Sequence, residues 1–206
     1  MMSATIPSEF LKDDADKSDI KILEAARALY AEFGLRRTTM DDVAKRAGVG
    51  RATLYRRFSE KEQLFKAVLL RDLQRDLFLI EKEIEQVNSA LEGVLQAFIK
   101  STQLLDGNDL IRRLLVTEPE QVLPYLTTDF ETILSFARGY LSGQIERGQR
   151  RGEVRQGNPD ALAEMILRLL QSFLLTPDGA LNPSDETNMG QFVEQFLRPL
   201  LSPAAQ

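Results

Sequence analysis

Ala44 and Gly48 stand four residues apart, with Leu54 six residues further on, and no other spacing constrains this chain as strongly. Two short helices that cross closely need a small residue where their backbones approach. The turn between them needs a residue that accepts positive φ, which glycine does without steric cost. The second helix must then return an apolar side chain to the first. Ala44, Gly48 and Leu54 meet the three requirements in order, and Val43, Ala47, Val49 and Phe58 supply the rest of a small core. The run from Thr39 to Phe58 is therefore predicted to fold as a helix-turn-helix, its second helix covering about residues 51–57. Thr38 and Thr39 offer hydroxyls to cap the first helix.

The flanks carry the same helical period. Ile22, Ala26, Leu29 and Phe33 form one apolar stripe that Gly34 can close with a left-handed cap. Ser59 to Glu62 reads as a capping box, Ser59 as N-cap and Glu62 reaching back, opening a long helix to about Ile84. Beyond it, helices are expected near 89–105, 108–117, 121–149, 158–175 and 187–200. They are separated by Asp106-Gly107-Asn108, Glu118-Pro119, Gly152, Gly157-Asn158-Pro159 and the Pro/Gly/Asn cluster of 176–185. No strand-like alternation appears. The expected class is all-α: a flexible acidic arm over 1–17, a three-helix helix-turn-helix domain over 18–66, and a helical bundle over 67–206.

Charge divides along the same line. Residues 17–67 hold twelve Lys/Arg against seven Asp/Glu, whereas residues 68–206 hold thirteen against twenty. A basic segment attached to an acidic body suits phosphate binding at one end, whatever the net charge of −5 suggests. The chain has neither Cys nor His. That removes thiol chemistry, the commonest metal ligands and the usual base near neutral pH, so no enzyme, metal or cofactor is expected. The first residues lack a signal peptide's basic and apolar regions, and no apolar run reaches about 18 residues. A cytoplasmic location without a membrane partner is the expectation.

On the second helix of the pair, the positions left outside the core are Arg51, Thr53, Tyr55, Arg56 and Arg57. A recognition helix meets base edges with its N-terminal residues, which here are Arg51 and Thr53. Tyr55, the Thr38/Thr39 cap and Lys61 suit contacts to phosphate, with Arg56 completing the expected DNA-binding set.

Residues 20–66 resemble the DNA-binding domain of the tetracycline-repressor (TetR) family of bacterial regulators. The resemblance rests on Phe33-Gly34, Thr38-Thr39, Val43-Ala44, Ala47-Gly48-Val49, Thr53-Leu54-Tyr55, Phe58, and Lys61 followed by Leu64-Phe65. Gly50 and Ala52 stand where the family usually has Ser and Gly, and Gly50 removes a hydroxyl N-cap from the recognition helix. The body is similar in organisation to that family's ligand-binding and dimerisation domain, including the Glu146–Glu153 run that ends a long helix. The resemblance implies a homodimeric repressor that binds a palindromic double-stranded DNA operator and releases it when a small-molecule inducer binds the body. Alternatives are an activator or ligand-independent regulator of the same fold, or a helical small-molecule-binding or interaction protein that does not bind DNA.

Helix 158–175 is apolar on two faces, Leu162, Ile166, Leu169 and Phe173 on one and Ala163, Leu167, Leu170 and Leu174 on the other. One face can meet its own core and the other a partner subunit; a central helix in a larger monomer is the alternative. With residues 187–200 it is expected to form the dimer seam, through Leu162, Ile166, Leu170, Phe173, Phe192 and Phe196. Phe78, Phe98, Tyr125, Phe130, Phe136, Tyr140 and Phe173 are aromatic candidates for a ligand pocket, and each reads more readily as core. The pairs Asp41-Asp42 and Glu81-Glu83-Glu85 read as solvated faces.

Overall fold

The computed structural model describes residues 17–203, and every regular element among them is a helix. Except for Lys17, the acidic arm expected over 1–17 lies outside the described residues. The order is α1 (Lys17–Phe33), α2 (Met40–Ala47), α3 (Arg51–Arg57), α4 (Lys61–Ile84), α5 (Ala90–Asp106), α6 (Asp109–Thr117), α7 (Pro119–Leu126), α8 (Glu131–Arg150), α9 (Pro159–Leu175) and α10 (Glu186–Phe192). A five-residue π-helical segment, Val193–Leu197, then leads without a break into α11 (Arg198–Leu201). No described helix is long and apolar enough to cross a membrane.

Two compact units are present. The first contains α1 to α3, α4 as far as Arg75, and the segment Asn108–Phe130 with α6 and α7. Its core joins Ile22, Ala26 and Tyr30 of α1, Leu64 and Phe65 of α4, and Leu110, Leu114 and Val122 of the inserted segment. Phe65 takes edge-on ring contacts from both sides, with Tyr30 at 5.6 Å and Tyr125 at 5.1 Å between centroids. A bifurcated ion pair adds a polar tie between α1 and α4, the Arg27 Nε–H donating to both oxygens of the buried Asp72 at 2.9 and 2.8 Å.

The second unit contains Asp76–Gly107 and the chain from Glu131 on. Leu91, Leu95 and Phe98 of α5, Leu141 and Ile145 of α8, Ala163, Ile166 and Leu170 of α9, and Val193, Leu197 and Leu201 of the last helix form its core. Ile166 at 2% exposure and Leu170 at 8%, both expected in a subunit seam, are therefore covered by their own protomer. Leu162, Phe173 and Phe192 pack partly buried against that core, and Phe196 is 60% exposed.

Three local expectations are corrected. The single helix expected over 121–149 is two, α7 and α8, separated at Thr127–Phe130. The Thr127 and Asp129 N–H groups both turn back to Pro124 O, at 3.2 and 2.7 Å, so the regular ladder ends there. Ser59 forms no capping box with Glu62: its N–H and hydroxyl both donate to Gln63 Oε1, at 2.9 and 3.2 Å. The helix expected over 187–200 is interrupted by the π-helical turn, which shifts the face that the residues after Phe192 present.

Candidate nucleic-acid interface

The capping box that does form is at the start of α2. The Asp42 N–H donates to Thr39 Oγ1 at 3.2 Å, and the Thr39 N–H donates to Asp42 Oδ2 at 3.0 Å. The Thr39 hydroxyl also donates to the same carboxylate at 2.6 Å. These hydrogen bonds, led by the hydroxyl, hold the Asp42 carboxyl below its ordinary range. Asp42 is thus a helix cap rather than a merely solvated charge.

At the other end of α2, Gly48 adopts φ +66°, and the Val49 N–H reaches back to Ala44 O at 3.0 Å. A left-handed residue closing the helix in this way is what turns the chain sharply enough for α3 to cross α2. Val43, Ala44 and Leu54 are buried at the crossing; Ala47, Val49 and Phe58 are half-buried around it. α3 begins at Gly50 with no side-chain cap, as the missing hydroxyl implies, and the Thr53 and Leu54 N–H groups bond to Gly50 O at 3.0 and 3.1 Å.

With Leu54 turned inward, α3 leaves Arg51, Tyr55 and Arg56 exposed and Thr53 half-buried beside them. Thr39 is exposed at the start of α2. Five of the expected DNA-binding residues thus reach solvent, Thr53 in part. The Arg51 guanidinium is paired with Asp41 of α2, a partner the sequence reading left as a solvated carboxylate. Arg57 is within 3.3 Å of Asp19 on α1.

The other two expected contacts are placed differently. Thr38 is only 2% exposed, and its hydroxyl donates to Gly34 O at 2.8 Å, so it faces the core of the turn and not solvent. Lys61 is half-buried, and its ammonium donates to Leu35 O at 3.0 Å and Thr38 O at 3.2 Å. Both residues satisfy the backbone of the α1–α2 turn. A threonine beside a threonine gives no local signal of which one is buried, because that depends on where α4 crosses the turn.

The second unit holds a different kind of polar group. The Tyr140 hydroxyl and Gln144 Nε2, one turn apart on α8, are buried side by side with no partner outside the pair, and the Tyr30 hydroxyl in the first unit is buried without one. Burial, reinforced by the Glu81 carboxylate, pushes the Tyr140 hydroxyl up to about 12. Glu81 is itself half-buried and raised, chiefly by burial, with Arg147 opposing, so it is not the freely solvated carboxylate expected. Phe98, Phe173, Phe192 and Phe196 form a chain of ring contacts with centroids 5.6 to 6.2 Å apart.

Residues 22–68 match the family model for bacterial regulatory proteins of the tetR family, and residues 87–191 match the C-terminal domain model of the bacterial tetracyclin repressor. An uncharacterized HTH-type transcriptional regulator of Bacillus subtilis, YhgD, is 30% identical over 187 residues, covering 85% of this chain and 92% of its own. An uncharacterized HTH-type transcriptional regulator of Mycobacterium tuberculosis is 28% identical over 165 residues, 79% of this chain and 84% of that one. Among solved structures, the transcriptional regulator FadR from Bacillus subtilis, in complex with stearoyl-CoA, superposes with a TM-score of 0.62 at 20% identity, covering 85% of this chain and 97% of that one.

Proposed function

The chain belongs to the TetR family of bacterial regulatory proteins, and from that premise we propose that it is a homodimeric repressor that binds a palindromic operator and releases it when a small molecule binds the body. The observation that carries the reading is the surface of Thr39, Arg51, Thr53, Tyr55 and Arg56 on a capped helix-turn-helix. In this assignment Arg51 and Thr53 read base edges, while Thr39, Tyr55 and Arg56 hold phosphates. One seven-residue helix reads few base pairs. A two-fold pair of heads with recognition helices ~34–36 Å apart reads two half-sites in successive major-groove turns.

Two observations support a small-molecule effector. FadR, of the same fold, was solved with stearoyl-CoA bound. The Tyr140 hydroxyl and Gln144 amide form a buried polar pair in the body with no partner outside it, and a ligand oxygen would bond to them. Because linkage is reciprocal, an inducer that weakens operator binding must itself bind less tightly to the DNA-bound dimer. α4, one continuous helix from Lys61 to Ile84, gives such a ligand a stiff connection to the head.

The test is a mobility-shift assay on the DNA upstream of its own gene, extended to genome-wide binding. Saturable retention of a discrete fragment that random DNA does not displace is the expected result. A folded protein that retains no DNA would leave a helical binding protein as the remaining reading. Increased transcription from the bound promoters on deleting the gene distinguishes repressor from activator.

A further inference from the structure

The α1–α2 turn fixes where Thr39 and the helix-turn-helix point, and side chains from distant elements hold it. Gly34 opens the turn at φ +87°, its N–H closing on Tyr30 O at 3.0 Å. Thr38 and Lys61 satisfy three of the turn's carbonyls, those of Gly34, Leu35 and Thr38. The Arg36 N–H donates at 2.8 Å to Glu118 Oε2, a residue 82 positions away at the junction of α6 and α7. The other oxygen of that carboxylate lies where a side chain at Gly34 would begin: a Cβ there would overlap Oε1 and stand 3.0 Å from Cδ. Glu118 is 9% exposed. Around it the Arg36 guanidinium pairs with Glu120 and the Arg113 guanidinium donates to Ala31 O.

A group that merely filled this notch would be apolar, because burying a carboxylate is costly unless it is paired and hydrogen-bonded. Here the charge is held by one backbone N–H, while the nearest guanidinium on the turn is engaged by another acid. The segment that carries it, Asn108–Phe130, belongs to the head's compact unit, yet it is joined at Gly107 and at Glu131 to the other unit.

We propose that Glu118 is a positioning residue for DNA binding, docking on Gly34 and Arg36 to hold the α1–α2 turn in its operator-binding form. The inference rests on the DNA-binding reading above and adds to it the residue that holds the turn.

The experiment compares full-length parent, Glu118→Gln, Glu118→Asp and Glu118→Ala on the strongest genomic fragment that the parent selects. Anisotropy gives affinity and its salt slope; hydrogen exchange follows the Arg36 amide; thermal unfolding checks the fold. Glu118→Gln, which keeps the acceptor and its reach, should bind like the parent. Glu118→Asp and Glu118→Ala should bind about tenfold more weakly, within the usual span of coupling effects. Their salt slopes should be unchanged because no phosphate contact is lost, and their Arg36 amides should exchange faster. Glu118→Asp keeps the charge in a shorter side chain, so it decides the matter should the alanine variant fail to fold. Parental affinity in Glu118→Asp despite a faster-exchanging Arg36 amide would overturn the inference while leaving DNA binding intact. Failure of the parent itself to select any fragment would overturn both.

Discussion

Arg51 is both the most exposed cation at the start of α3 and the partner of Asp41, so its guanidinium is already directed when DNA arrives. Arg51→Ala should cost ~1–3 kcal/mol on the cognate site and little on random DNA, since a base contact discriminates and a phosphate contact does not. Tyr55→Phe should instead weaken all DNA together and reduce the log–log salt slope by about 0.9, the share of one phosphate. Equal losses on both DNAs for Arg51→Ala would remove its base-reading role. Thr39 is tested through its cap. Asp42 titrates below its ordinary value because Thr39 binds the charged form, so that stabilisation is present above the ordinary carboxylate pKa and fades as pH falls through the lowered one. Thr39→Ala should return the Asp42 titration to the ordinary range by NMR and cost about 1 kcal/mol of head stability.

Elements fix which of these residues reach the surface. The first turn of α4 crosses the α1–α2 turn and takes Lys61 with it, converting an expected phosphate contact into a brace for two carbonyls. Lys61→Met should therefore lower the melting temperature and weaken operator binding with an unchanged salt slope. A slope reduced by about 0.9 would restore the phosphate role. The break between α7 and α8 matters in the same way. It lets α7 turn Tyr125 onto Phe65, while Lys66 stands 5.6 Å from the Tyr125 ring centroid and 3.8 Å from Asp129. Helical periodicity runs through Thr127 and Thr128 without a mark. The backbone leaves the helix there, the Thr127 and Asp129 N–H groups both turning back to Pro124 O.

At the scale of the whole molecule, the dimer proposal must use the residues that the protomer leaves uncovered. Leu170→Glu would put a charge into the protomer's own core and should unfold it, so it cannot report on assembly. Phe196→Glu alters a 60% exposed ring and should leave a folded protein that sediments as a monomer and loses operator affinity. A Phe196→Glu protein that remains dimeric in analytical ultracentrifugation would move the seam elsewhere, with the half-buried Leu162 and Leu169 of α9 the next residues to test. The sequence by itself determined the all-helical class, the helix-turn-helix and the inward set of Val43, Ala44 and Leu54. Those follow from local period, caps and a glycine at positive φ, all carried within some twenty residues. Only tertiary structure decided that Thr38 is buried and Thr39 exposed, that Ile166 and Leu170 belong to the protomer core, and that Glu118 meets Arg36 across 82 positions. An apolar stripe states that a face is covered but not by what, and a lone carboxylate carries no local sign of its partner. Both are settled by which distant elements the chain brings together.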